Sequence, residues 1–114
     1  MQFQFNSDHT VMGTENVAER IEAMIREKIG RFEDRLTRLE VHVRDVNGAK
    51  HGAEDKECTI EARPRGGKPI GVHGKADKVD DAARKAANTL VQRLERHFGK
   101  SEKHKHDARP DKVM

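Results

Sequence analysis

The sequence has no tryptophan and no tyrosine, and its only aromatics are Phe3, Phe5, Phe32 and Phe98. With 33% hydrophobic residues against 38% charged, it can fill one thin core between two layers and leaves little for a deep pocket. Its 114 residues suit one domain. Cysteine occurs once, at Cys58, which excludes an internal disulfide and fits a reducing compartment. No apolar run approaches the roughly 18 residues of a membrane span. The opening Met1-Gln2-Phe3-Gln4-Phe5 has neither region of a signal peptide. A cytoplasmic protein with no membrane partner is expected. So high a charge fraction also suits a disordered chain, but the apolar residues are periodic and sit in separate blocks.

Gln2 to Asn6 alternates polar and apolar, which predicts a half-buried strand. Thr14 is a suitable N-cap. Val17, Ile21, Met24, Ile25, Ile29, Phe32 and Leu36 then recur at three- and four-residue steps, predicting an amphipathic helix over Thr14–Leu36. Gly30 weakens it and suggests a bend or a close contact. The period switches to two at Leu39, Val41 and Val43, and again at Cys58, Ile60 and Ala62, where Pro64 ends the strand. A polar loop, Asp45 to Glu57, separates the two. After the turn Arg65-Gly66-Gly67-Lys68, Ile70 and Val72 predict a short fourth strand that begins at Pro69, as an edge strand allows.

Asp77 or Asp80 is placed to cap a last helix over Lys78–Phe98, striped by Ala83, Ala87, Leu90, Leu94 and Phe98, with Gly99 as its stop. Residues 101–114 are polar and aperiodic and are expected to form a disordered tail beyond a single domain of residues 1–100. The fold class is α+β, ordered β-α-β-β-β-α: a four-stranded sheet with two helices packed on one face and a polar face opposite.

Chemistry is sparse. His104 and His106 lack the further ligands of a zinc set, so no metal and no cofactor is expected. Cys58 falls on the inward phase of its strand, away from outward His42 and His73, and a buried thiol is inert. The acids sit at i,i+4 spacing from bases, Glu22 with Arg26 and Glu27 with Arg31, as ordinary surface pairs. Nothing converges on a reaction centre, so no enzyme is expected.

The remaining signal is basic. The net charge is +3. From Arg84 to Lys100 the last helix carries Arg84, Lys85, Arg93, Arg96 and Lys100 against one acid, Glu95, and the first helix adds Lys28, Arg31 and Arg35. Bases spaced along helices match phosphates by position and need no aromatics. A solvated helix face is the competing reading. The outward sheet face carries no aromatic platform for stacking bases.

Five segments stand out together: Gln2-Phe3-Gln4-Phe5-Asn6, Lys28-Ile29-Gly30-Arg31-Phe32-Glu33, Val41-His42-Val43, Gly74-Lys75-Ala76-Asp77 and Arg93-Leu94-Glu95-Arg96-His97-Phe98. In their order and spacing they resemble the ribosome hibernation-promoting factor and ribosome-associated inhibitor family. Val41 to Pro64 looks closer to a divergent proteobacterial ribosome-associated branch. The likeness is to short members, similar in fold to double-stranded-RNA-binding domains, and does not extend to the C-terminal dimerisation domain of long ones. The resemblance implies binding to small-subunit rRNA, in the channel of mRNA and anticodon stems, silencing idle ribosomes under stress. It places contacts at Lys28, Arg31, Lys75, Arg93 and Arg96; charge alone adds Arg35, Lys85 and Lys100. Neither DNA nor a membrane is an expected partner, and the chain is expected to be monomeric off the ribosome. The alternative is a protein-interaction module using the polar sheet face, around His42, Arg44, Arg63 and His73.

Overall fold

The computed structural model describes residues 1–7, 16–45 and 56–107, with side chains as far as residue 99. Strand β1 (Gln2–Ser7) leads to helix α1 (Val17–Ile29) and a 3-10 segment, Gly30–Arg35. Strands β2 (Leu36–Asp45), β3 (Lys56–Pro64) and β4 (Ile70–Ala76) follow, then helix α2 (Val79–Asp107). The strands lie in the order β1-β2-β3-β4. β1 runs parallel to β2, with α1 as the crossover, and the other two pairings are antiparallel. This is the expected α+β order.

Strand alternation puts Leu39, Val41 and Val43, then Cys58, Ile60 and Ala62, then Ile70, Val72 and Ala76 on one face. All are buried, under Ile21, Ile25 and Ile29 of α1 and Ala83, Ala86, Ala87, Leu90 and Leu94 of α2. Both helices therefore pack on that face. The opposite face carries Gln2, Arg38, Glu40, His42, Arg44, Thr59, Glu61, Arg63, His73 and Lys75.

The first helix is shorter than its apolar spacing suggests. It ends at Ile29, the backbone tightens into the 3-10 segment from Gly30, and Leu36 is already extended (φ −111°, ψ 140°). Leu36 pairs with Pro64 as the first residue of β2. A register shift between Leu36 and Arg38 brings Leu36 and Leu39 onto the same buried side. That bulge produces the three-residue spacing that imitates a helix. Thr14 lies outside the described residues; Asn16 precedes the helix without a side-chain cap bond.

The last helix is longer than expected. It passes through Gly99, which takes no left-handed conformation, and its backbone runs to Asp107. The missing Cβ at Gly99 costs about 1 kcal/mol relative to Ala, which does not end a helix whose last core residue, Leu94, is only a turn behind. Asp80 lies within the first turn, and its carboxylate accepts two hydrogen bonds from Arg20, each 3.1 Å.

Two other glycines have distinct tasks. Gly66 takes φ 69° in the turn where the Gly67 N–H donates to the Pro64 carbonyl at 3.2 Å. Gly74 lies beneath α2. A Cβ there would meet the Ala82 carbonyl oxygen at 2.6 Å and the Ala86 nitrogen at 2.7 Å. Gly71, on the outward face of the same strand, has open space around that position. Gly74→Ala is therefore expected to lower stability by about 1–3 kcal/mol or more, because the clash is with backbone. Gly71→Ala is expected to melt close to the parent in thermal unfolding. Equal melting of the two variants would contradict this packing.

Candidate nucleic-acid interface

On α2 the exposed residues Lys85, Thr89, Gln92, Arg93 and Arg96 recur at three- and four-residue steps and form one stripe. It contains no acid. Arg93 and Arg96 have no ion-pair partner among the described residues. Lys85 leans toward the sheet edge, its Nζ donating to the Lys75 carbonyl oxygen at 3.0 Å. Lys100 continues the spacing along the helix, but its side chain lies beyond those described.

The other residues expected at the site are placed differently. Lys75 stands on the polar sheet face, so it flanks the β4 edge and does not share the stripe. Lys28 is half-buried on α1, four residues after Met24 and without an ion-pair partner among the described residues. Arg31 is bound to Glu95 of α2. The i,i+4 pair expected between Glu27 and Arg31 does not form, because the 3-10 segment that begins at Gly30 no longer stacks residue 31 above residue 27. Glu22 and Arg26, inside the regular helix, do pair, at 2.8 Å. That hydrogen bond raises the Arg26 pKa, against desolvation by burial and with help from the charge of Glu33. Arg35 lies over the Phe98 ring, 5.0 Å from its centroid, and Arg31 over Phe32 at 4.7 Å.

This aromatic–arginine cluster is the part of the site that the sequence does not reveal. Phe32 and Phe98 stack with centroids 5.7 Å apart and ring planes 18° apart. They lie more than sixty positions apart in the sequence, and both read simply as core residues. The only local hint is that Arg31 and Phe32 are adjacent.

The two faces of the molecule use their bases differently. On the sheet face Arg44 binds Glu57 at 2.9 Å, Arg63 binds Glu61 at 3.7 Å, and Arg38 binds Glu40. Such exposed pairs add little stability, but each cancels the charge a phosphate would meet. Between them Asn6, His42, Thr59 and His73 form a row across all four strands. On α1, Glu19 and Glu27 are exposed with no ion-pair partner among the described residues. Free positive charge on the helix layer is concentrated on α2.

The sequence matches, over residues 10–102, the family described as sigma 54 modulation protein / S30EA ribosomal protein. The chain belongs to that family. This is the ribosome hibernation family its motifs resemble. Its fold is shared by a ribosomal subunit interface protein from Coxiella burnetii, at 14% identity and TM-score 0.66, covering 87% of this chain and 99% of that one. It is also shared by the N-terminal domain of Thermus thermophilus Protein Y, at 16% identity and TM-score 0.65, covering 85% and 99%. No curated protein matches the sequence.

Among the described residues no group of histidine, cysteine and acidic side chains is arranged to hold a metal, and no helix is long and apolar enough to cross a membrane. The side chains of His104 and His106 lie beyond those described. Cys58 is fully buried. Burial, and secondarily the charge of Glu57, pushes its thiol up from 9.0 to about 12. The native state thus keeps a proton that the unfolded state releases from about pH 9 upward, so stability falls as pH rises between those values. Cys58→Ala is expected to be less stable near neutrality, by loss of packing. It should also show a shallower fall in denaturant midpoint between pH 8.5 and 10.5. Parallel curves for parent and variant would contradict the buried thiol.

Proposed function

We propose that this chain is a non-enzymatic, cytoplasmic ribosome-associated protein that binds small-subunit rRNA through α2 and blocks translation on idle ribosomes. The observation that carries this reading is the acid-free stripe on α2, with Arg93 and Arg96 free of carboxylate partners among the described residues. A guanidinium without a partner can neutralise a phosphate and release its counterion, whereas one already bound to a carboxylate must first lose that partner. The exposed acids of α1 repel phosphates, so α2 supplies the main RNA-facing surface and α1 contributes only at its margin through Lys28. Family membership and the subunit interface for which the Coxiella burnetii protein is named support a ribosomal partner. The RNA-binding unit is residues 1–100, a monomer off the ribosome, with Lys85 and Lys100 extending the stripe. Lys28, Arg31, Arg35 and Lys75 act from its margins. DNA is not a partner in this reading.

The test is co-sedimentation with small subunits across a range of salt. Arg93→Ala with Arg96→Ala is expected to cut binding sharply at moderate salt. It should flatten the log–log salt slope by about 0.7–0.9 for each lost phosphate contact, and relieve inhibition of translation in vitro. Arg44→Ala with Arg63→Ala is expected to do much less, because Glu57 and Glu61 already neutralise those bases. The reverse ranking would favour a protein-binding role for the sheet face. No ribosome binding by the parent at low salt would overturn the reading.

A further inference from the structure

A hollow of about 400 Å³ opens where the 3-10 segment meets α2, lined by Arg31, Phe32, Arg35, Glu95, Phe98 and Gly99. Its volume lies within the range of pockets that take small organic ligands. The lining has an ordered chemistry. Phe32 and Phe98 form a stacked pair, and each ring holds a guanidinium against it. A guanidinium held this way has given up much of its rotamer freedom, so stacking on a second flat group costs less additional ordering. Arg31 engages Glu95 through Oε2. Oε1 of Glu95 accepts from no described side chain.

Planar cations, aromatic rings and one carboxylate oxygen with spare acceptor capacity make an unusual combination for a surface that only counts phosphates. Glu95 repels a phosphate. It can, however, accept a hydrogen bond from the exocyclic amino group of adenine or cytosine, and an arginine plane can stack on the same base. Gly99 adds no side chain to the rim, and nothing among the described residues lies within 4 Å of where its Cβ would sit.

We propose that the hollow between the 3-10 segment and α2 receives a single unpaired, amino-bearing RNA base, stacked on Arg31 or Arg35 and hydrogen-bonded to Glu95. This rests on the proposed RNA-binding role and deepens it. The stripe of α2 engages the backbone, and the hollow at its end reads one extruded nucleotide. A base already out of its stack is the natural ligand, because no unpairing energy is then needed.

The experiment uses the full chain and three short RNAs, the tetranucleotides of adenosine, cytidine and uridine, with fluorescence anisotropy for affinity and amide NMR shifts for location. The adenosine and cytidine tetramers should bind roughly tenfold more tightly than the uridine tetramer, as one charge-assisted hydrogen bond implies. Their shifts should centre on Arg31, Glu95 and Gly99. Glu95→Met is the deciding variant, because it removes both acceptor oxygens at similar side-chain length, and its exposed position leaves the core intact. If the hollow reads a base, the variant loses the preference among the three RNAs. If Glu95 only offsets positive charge, the variant binds all three more tightly and by the same factor, which would overturn the proposal. Equal affinity of the parent for all three, or shifts confined to Lys85, Arg93 and Arg96, would also overturn it. Because no ribosome is present, those outcomes leave the co-sedimentation result standing. Base preference without ribosome binding would overturn the ribosomal reading alone.

Discussion

Ala82, Ala83, Ala86 and Ala87 give the first half of α2 a face without side-chain bulk, and Gly74 removes the one Cβ of β4 that would hold it away. The resulting approach is close enough that the helix backbone lies where that Cβ would be. Helix packing is a rigid constraint, because interiors are filled to near crystal density. Once the alanine face is seated, the rotation of α2 about its own axis is fixed over its whole length. Leu90 and Leu94 then enter the core, Phe98 meets Phe32, Glu95 comes within reach of Arg31, and Lys85, Arg93 and Arg96 are turned to solvent. The exposure of the basic stripe is thus a consequence of small residues on the opposite side of the same helix.

Charge is apportioned by partner rather than by number. Acids and bases are nearly balanced over the chain, 20 against 23, and a count alone would not distinguish one surface from another. Ion pairs tie α2 to the elements beside it, Arg20 of α1 to Asp80 at one end and Arg31 of the 3-10 segment to Glu95 at the other. The Asp80 hydrogen bond, and then its charge, raise the Arg20 pKa. The sheet face neutralises its own arginines. Within the helix layer, the bases without an acid among the described residues are Lys28 of α1 and Arg93 and Arg96 of α2. Only the α2 pair sits in an acid-free stripe, where attraction to a polyanion is not locally offset. A modest net charge is compatible with a specific electrostatic footprint when the cancelling pairs are spatially segregated from it.

Much of this was written in the order of residues. Periods of two and of three to four distinguished strands from helices. The inward phase of Cys58 followed from alternation with Thr59 and Glu61, and the α2 stripe was visible as bases clustered against one acid. These are short-range signals, since a side chain's direction relative to its neighbours depends only on local backbone geometry. The sequence also determined where glycine was needed, though not which glycine served a turn and which a close contact.

Where two elements met was decided by the tertiary structure. Leu36 fits a helical stripe and a strand equally well until the bulge opposite Pro64 assigns it to β2. Gly99 looks like a helix stop until its backbone conformation is fixed. Spacing pointed to Glu27 as the partner of Arg31, and the change of helical type at Gly30 gave Arg31 to the distant Glu95 instead. The same change brought Phe32, Arg35 and Phe98 together. Local spacing specifies the faces a segment presents. Which faces come into contact is set by long-range packing, whose free energy belongs to no single segment.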